Sequence, residues 1–203
     1  YLVPGTPTLT KRYLPASVLE WFGKPSDHSI EADPQLDPEA ILTGVGALEE
    51  CADGQDLCLT DEFQSAWNEA IDAVAAEDAS RDRLMDLLDL EADAGNVEIE
   101  EYGRAFRATV GQRPVGTWQS EAAFLADLGA GEVLAERDPV WTDRPVPERG
   151  QLLNGLRLFI DRCPACGGQP EFGTETVESC CSTQDVAAVE CADCGARLFE
   201  TQT

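Results

Sequence analysis

Two cysteine pairs near the carboxyl end place the tightest restriction on how this chain folds. Cys163 and Cys166 form one CxxC pair, Cys191 and Cys194 form the other, and 24 residues separate the two pairs. In a CxxC turn the backbone curls back, so the two sulfur atoms converge on one side, and the glycine that follows tolerates a positive φ. Two such turns facing each other make a tetrahedral site of four sulfur atoms, an arrangement that suits Zn²⁺.

The segment between the pairs predicts two short strands, at residues 171–179 and 185–189, and residues 196–200 predict a third. Two cysteine turns that clamp a three-stranded sheet resemble the zinc ribbon superfamily, and the resemblance covers residues 161–203 only. It implies that the four cysteines of the two pairs are the ligands of one structural Zn²⁺. The superfamily is found in transcription, translation, enzyme and scaffold proteins, so the resemblance implies a chemistry but no particular role.

Three other uses of the four cysteines are less well supported. A disulfide framework needs an oxidising compartment, and the sequence contains no visible secretory segment. A thioredoxin-like redox centre is expected to have one CxxC pair rather than two pairs flanking strands. An iron–sulfur cluster also uses four cysteines, although ribbon spacing more often holds zinc. A catalytic zinc is not predicted, because four thiolates close the coordination position that a substrate needs.

The remaining four cysteines have several interpretations. Cys180 and Cys181 stand at the end of the first predicted strand, where adjacent side chains point to opposite faces, so at most one can face the metal. In one interpretation, either of them replaces one of the four ligands. In a second, they form a redox-sensitive pair. In a third, one packs on the helical domain while the other lies near the surface. Cys51 and Cys58 fit a local disulfide or a second half-site, but we expect buried free thiols, as in a reducing cytoplasm.

Apolar residues at helical spacing predict a helical domain over residues 37–160. Four helices are expected to begin at or beside capping residues: Asp37, Thr60, Ser80 and Ser120. The helix after Thr60 has the clearest core-facing stripe, made of Phe63, Trp67, Ala70, Ile71 and Val74. A last amphipathic helix at residues 147–161 runs directly into Cys163, so we expect the ribbon to be docked on the helical domain.

Other parts of this domain are less regular in sequence. The helix that begins at Asp37 is expected to end near Cys51. Residues 97–110 fit either a helix or two short strands broken at Gly103. Residues 111–117 are predicted to be a loop, and residues 137–150 have the composition of a linker.

Residues 1–36 predict an extended, proline-rich arm and loop, with a short helix at residues 16–22. Large apolar side chains are dense in this arm: Tyr1, Leu2, Tyr13, Leu14, Trp21 and Phe22. Exposed apolar surface of this kind is normally covered. Either a protein partner or the protein's own core covers it, and the sequence favours neither.

Acidic residues dominate the charge of the chain. It has 39 aspartates and glutamates against 14 lysines and arginines, a net charge of −25, and its two lysines are Lys11 and Lys24. Such a composition, spread over the whole chain, resembles that of proteins from extreme halophiles. At molar salt the Debye length is about 3 Å, so neighbouring acidic groups hardly repel one another. The alternative is an ordinary, highly soluble acidic protein.

The sequence also argues against several classes of function. It has no apolar run long enough to span a membrane. The sequence does not address a signal or membrane anchor upstream of Tyr1. No phosphate-binding loop, dinucleotide fingerprint or nucleophile elbow is present, and the single histidine, His28, is expected at the surface. Nucleic acid is disfavoured as a partner, because the ribbon is acidic. The densest basic group consists of Arg104, Arg107 and Arg113.

Together these features predict a mainly α protein with a small β zinc ribbon, divided into residues 1–36, 37–160 and 161–203. We expect a non-catalytic, cytoplasmic zinc-ribbon protein of a halophile that acts through protein–protein contact as a scaffold or regulatory component. One alternative is a nucleic-acid-associated regulator that uses the arginine group. The other is a thiol-based redox sensor that uses Cys180 and Cys181.

Overall fold

A computed structural model of the chain describes residues 36–52, 54, 56–76, 80–103, 105–178 and 183–202. Residues 1–35 of the predicted amino-terminal arm, which include its short helix, lie outside these ranges, as do Arg104, Cys180 and Cys181; His28 belongs to the same outside segment.

Five α-helices occur in the described part of the chain. They are α1 (Pro38–Gly44), α2 (Asp61–Ala76), α3 (Ser80–Leu87), α4 (Glu121–Arg137) and α5 (Val146–Leu156). Three of the predicted caps are confirmed by their hydrogen bonds. The side chains of Asp37, Thr60 and Ser120 each accept a backbone N–H three residues ahead, at 3.0, 3.2 and 3.2 Å. Helix α3 begins at Ser80 itself, as the sequence predicts to within a residue. None of the described helices is long and apolar enough to cross a membrane.

The described residues also form eight strands in three antiparallel sheets. The strands are β1 (Leu48–Glu50), β2 (Leu57–Leu59), β3 (Val97–Tyr102), β4 (Ala105–Val110), β5 (Arg113–Trp118), β6 (Pro170–Glu178), β7 (Thr183–Cys191) and β8 (Arg197–Gln202). Their order is β1-β2 in the first sheet, β3-β4-β5 in the second and β6-β7-β8 in the third. The predicted helical domain therefore contains two small sheets, and the third sheet carries the cysteine pairs.

Two expectations about secondary structure in the helical domain are wrong. Helix α1 ends at Gly44 instead of running to Cys51, because Gly46 adopts a φ of +71° and the chain turns into β1. The loop predicted at residues 111–117 is largely strand β5, which pairs with β4. Pro114 is compatible with β5 because this strand lies at the edge of its sheet, where one side of the backbone needs no donor.

The ambiguous segment before β5 is a β-hairpin. Strands β3 and β4 pair in register from Val97 opposite Val110 to Tyr102 opposite Ala105. Gly103 lies in the connecting turn with a φ of +65°, a conformation that favours glycine. The strand alternative for residues 97–110 is therefore confirmed.

Helices α2 and α4 form the centre of the core. The predicted stripe on α2 is buried throughout, and the indole N–H of Trp67 donates to the carbonyl of Ala126 on α4 at 2.9 Å. The two helices are in close contact at Gly129, where an added Cβ would lie 2.8 Å from Cγ1 of Ile71. Helix α4 is buried continuously from Ala122 to Gly131, so it is the central helix of the domain.

The segment predicted to be a linker, residues 137–150, is packed into the domain. The side chain of Trp141 is 3% exposed. The Nε of Arg144 is 2.6 Å from a carboxylate oxygen of Asp138, which is itself buried. A segment that buries an indole and a paired carboxylate is held in place, so the linker prediction is wrong.

Cys51 and Cys58 form a disulfide within the β1–β2 hairpin, with their Cα atoms 5.2 Å apart. Strand pairing brings them together: Glu49 lies opposite Cys58, and the amide of Cys51 donates to the carbonyl of Asp56 at 2.8 Å. The expectation that these cysteines are buried free thiols is therefore wrong. The pairing also takes both cysteines away from a second metal half-site.

The cysteine-bearing lobe is docked on the helical domain, as predicted. Leu198 and Phe199 of β8 are buried in the same core as α2 and α4. The hydroxyl of Ser120, which caps α4, donates to the carbonyl of Arg197 at 2.6 Å. Arg157, which follows α5, donates to the carbonyl of Leu198 at 2.8 Å.

Candidate metal centre

The first cysteine turn lies between the end of the helical domain and strand β6. The amide of Cys163 donates to the carbonyl of Gly168 at 2.8 Å, and the amide of Gly167 donates to the carbonyl of Cys163 at 2.8 Å. Gly167 has a φ of +74°. The amide of Gly168 also donates to the sulfur of Cys166 at 3.4 Å. These bonds curl the backbone so that both sulfurs of the turn lie on one side.

The second turn repeats this geometry between β7 and β8. The amide of Cys191 donates to the carbonyl of Ala196 at 3.0 Å, and the amide of Gly195 donates to the carbonyl of Cys191 at 2.9 Å. Gly195 has a φ of +71°. The two turns are therefore equivalent in backbone hydrogen bonding, and the β6–β7–β8 sheet joins them.

The four cysteines of the two turns are brought together as one cluster. Their sulfur atoms all lie within 4.8 Å of one another. The sulfurs of Cys163 and Cys194 are 3.8 Å apart, and those of Cys166 and Cys191 are 3.5 Å apart. A tetrahedral ion with metal–sulfur bonds of about 2.3 Å has sulfur–sulfur edges of about 3.8 Å. The cluster therefore has the donor set and the spacing to hold a metal ion.

The two cysteines of each turn differ in their exposure. Cys163 and Cys191, the first of each pair, are buried, whereas Cys166 and Cys194 are exposed. Burial raises the pKa of the Cys163 thiol to about 12. Burial also raises the pKa of Cys191, but hydrogen bonds from the backbone amides of Cys194 and Asp193 and from the side chains of Cys166 and Cys194 together outweigh it, so the net shift is downward. Because metals bind thiolates, loading the cluster requires Cys163 to give up a proton that burial holds there.

Three residues beside the four cysteines, Gly168, Gln169 and Asp193, have no role in the sequence-based prediction. The carboxylate of Asp193, in the second turn, accepts a hydrogen bond at 3.3 Å from the amide of Gln169, which follows the first turn. An added Cβ at Gly168 would lie 2.2 Å from the same carboxylate. The signal in the sequence was the second glycine after Cys166. The turn itself needs a positive φ only at Gly167, so Gly168 called for another explanation.

The basic group proposed as a nucleic-acid contact is partly neutralised. The guanidinium of Arg107 is 2.9 Å from the carboxylate of Glu100 and stacks over the ring of Tyr102 at 3.9 Å. Arg113 is exposed at the start of β5, and Arg104 lies outside the described residues. In the cysteine lobe, Arg197 pairs with Glu190 at 2.6 Å. Of the two described arginines of this group, Arg107 is therefore paired with a carboxylate, whereas Arg113 lies exposed.

A buried ion pair lies where the lobe meets the helical domain. The Nε of Arg157 is 3.1 Å from a carboxylate oxygen of Asp127, and the indole of Trp118 donates to the other oxygen at 2.8 Å. Burial raises the pKa of Asp127, and Arg157 and Trp118 partly offset that rise. The remaining donors of Arg157 reach Gln119, Asn154 and the carbonyl of Leu198. This arrangement joins β5, α4, the end of α5 and β8.

Family models match the chain in three segments. They are the amino-terminal, central and carboxy-terminal domains of a family of unknown function (DUF8054), over residues 1–25, 37–158 and 161–201 respectively. No curated protein and no solved structure matches the chain. Because the central-domain model alone covers more than half of the 203 residues, the chain belongs to this family of unknown function, DUF8054.

Proposed function

We propose that Cys163, Cys166, Cys191 and Cys194 hold one structural Zn²⁺, and that the protein acts through contact with another protein rather than through catalysis. The observation that carries the proposal is the cluster of four sulfurs, in which two pairs lie 3.5 and 3.8 Å apart and all four lie within 4.8 Å of one another. Four thiolates complete the coordination of zinc and leave no position at which water or substrate is activated.

The size of the lobe supports a structural role for the metal. A unit well below about 70–80 residues rarely builds a sufficient core and is usually stabilised by a metal, by disulfides or by docking. Zinc binding contributes about 10–16 kcal/mol in zinc-finger peptides, which is enough to order such a lobe. The proposed ion would draw the two turns together, while Leu198 and Phe199 attach the sheet to the helical domain.

A protein partner is a better match to the surface than nucleic acid. Phosphate neutralisation requires a cationic face, and the chain has a net charge of −25. Arg107, Arg162 and Arg197, on three different parts of the described surface, each lie in an ion pair with a carboxylate. These observations favour the scaffold or regulatory proposal over a nucleic-acid-associated regulator.

The proposal also places the protein in the cytoplasm of a halophile. The acidic, lysine-poor composition and the four unoxidised thiols of the cluster support this location. The Cys51–Cys58 disulfide counts against a reducing compartment. Mass-spectrometric thiol mapping of native protein decides between a reducing and an oxidising location. A reduced Cys51–Cys58 pair supports the cytoplasm, and a fully oxidised pair argues against it. The same map reports whether Cys180 and Cys181 respond to mild peroxide, as the redox-sensor alternative requires.

Elemental analysis combined with native mass spectrometry tests the central claim. Protein isolated at high salt should contain one zinc per chain and should be recovered with a stoichiometric protein partner. Protein free of metal would overturn the metal assignment. Binding of DNA or RNA at the lowest salt that preserves the fold, falling as salt rises, would replace the protein-partner proposal with the regulator alternative.

A further inference from the structure

The two cysteine turns are equivalent in backbone geometry but not in side chains. Gly168 of the first turn corresponds to Ala196 of the second, because each accepts the amide of the first cysteine of its turn. Asp193, which precedes the last cysteine of the second turn, corresponds to Ala165 in the first. The second turn therefore carries a carboxylate that the first lacks, and the first turn carries a glycine where the second carries an alanine.

These two differences meet at one place in the structure. The carboxylate of Asp193 reaches across to the first turn and accepts the amide of Gln169 at 3.3 Å. The carbonyl of Gln169 in turn accepts the amide of Ala192 at 2.9 Å. Both backbone groups of Gln169 are thus bonded to the second turn.

Gly168 provides the space that this contact needs. A Cβ at that position would lie 2.2 Å from the carboxylate oxygen of Asp193 and 2.9 Å from its Cβ. Gly168 also connects the contact to the metal centre, because its carbonyl accepts the amide of Cys163 and its amide donates to the sulfur of Cys166. Any displacement of residues 168–169 is therefore passed directly to both cysteines of the first turn.

We propose that Asp193 is a positioning residue of the metal centre, which holds the first cysteine turn in register with the second through the amide of Gln169. The inference rests on the proposed function, since it concerns the same four thiolates. The hydrogen bond, and not the negative charge, holds the two turns in register. A further negative charge beside four thiolates does not by itself draw the turns together. Loss of a group that orients metal ligands typically lowers metal affinity by about 10–100-fold.

The test measures Zn²⁺ affinity of the full chain by competition with a chromophoric chelator, and records the absorption spectrum of the Co²⁺-loaded protein. Asp193→Ala should lower affinity by about 10-fold or more. Asp193→Asn keeps an acceptor oxygen and loses the charge, so it should stay within a few-fold of wild type. Glu171→Gln removes an exposed charge from the adjacent strand and should leave affinity unchanged.

A double-mutant cycle adds a second, independent test. Gly168→Ala should lower affinity as much as Asp193→Ala, because the new methyl group displaces the carboxylate. The double variant should then lose less than the sum of the two single variants, because both remove the same hydrogen bond. It should lose more than Asp193→Ala alone, because alanine keeps the Cβ that would lie 2.9 Å from the new methyl group. Ala196→Gly, at the equivalent position of the second turn, is the matched control. In metal-free protein, hydrogen exchange at the Gln169 amide should be faster in Asp193→Ala than in wild type.

The outcomes separate this inference from the proposed function. Wild-type protein that binds no metal would overturn both. Wild-type protein that binds zinc, with Asp193→Ala at the same affinity, would overturn the positioning role alone. A loss in Asp193→Asn equal to that in Asp193→Ala would show that charge acts instead of the hydrogen bond, and would also overturn it.

Discussion

A side chain of the helical domain holds the backbone of the cysteine lobe: Arg157 donates a hydrogen bond of 2.8 Å to the carbonyl of Leu198. The same guanidinium forms a buried ion pair with Asp127 of α4. The end of helix α5, the central helix α4 and strand β8 therefore meet at one charged group that is 5% exposed. Because the two parts of the chain share this group and a common core, we expect them to unfold together.

The first prediction concerns this buried pair. Arg157→Ala should lower the free energy of unfolding by about 3–5 kcal/mol, because it leaves the carboxylate of Asp127 buried without its partner. Denaturant unfolding at high salt measures the change. Arg81→Ala, at an exposed position on α3, is the control and should change stability by less than about 0.5 kcal/mol. A change below about 1 kcal/mol in Arg157→Ala would contradict the assigned role.

The second prediction concerns metal removal. Chelation should lower the melting temperature of the whole protein, followed at α-helical wavelengths, because the lobe and the helical domain share one core. Cys166→Ser should abolish zinc binding, and in excess chelator it should melt at the wild-type temperature, since Cys166 is exposed and contributes little packing. Separate transitions for the lobe and the helices would show that the two parts unfold independently.

The third prediction is a pH dependence of metal affinity. Burial raises the pKa of Cys163 to about 12, so this thiol is almost entirely protonated in the free protein near neutral pH. The bound state needs the thiolate, so binding releases the proton. Affinity should therefore fall as pH falls, by about tenfold per pH unit for this thiol alone. Calorimetry in buffers of different ionisation enthalpy counts the protons released, and a count of zero would refute the prediction.

The fourth prediction tests the contact between the two central helices. Gly129→Ala should destabilise the protein by about 1–3 kcal/mol, because the new methyl group would lie 2.8 Å from Cγ1 of Ile71 and 3.0 Å from its backbone nitrogen. Gly44→Ala is the matched control, since no atom lies within 4 Å of a Cβ at that position. If thermal unfolding shows equal stability for the two variants, the close approach of α2 and α4 at Gly129 is disproved.

The features that were predictable from the sequence are those encoded over a few residues. The CxxC spacing with its following glycines predicts two turns whose sulfurs converge, and the structure brings all four together. The side-chain caps at Asp37, Thr60 and Ser120 are equally local, because each oxygen reaches an amide only three residues ahead. Such short-range interactions form without any contact from a distant part of the chain, so the local sequence is enough to predict them.

The features that were missed depend on distant partners or on competing local signals. Residues 111–117 carry glycine and proline, which locally favour a loop, yet β4 supplies a strand for them to pair with. Trp141 lies in a proline-rich stretch that has the composition of a linker, and only the surrounding core shows that its indole is buried. Whether Cys51 and Cys58 meet depends on the register of a hairpin that the sequence predicts as the end of a helix.

The amino-acid sequence by itself determined the chemistry of this protein: four converging thiols, an acidic surface and helices with defined starts. Only the tertiary structure decided what those parts contact. It paired Arg157 with Asp127 across 30 positions of chain and placed Asp193 against the turn that contains Gly168. The physical reason is that thiol chemistry and capping depend on neighbours in sequence. Ion pairing, strand pairing and close packing depend on groups that become neighbours only when the whole chain has folded.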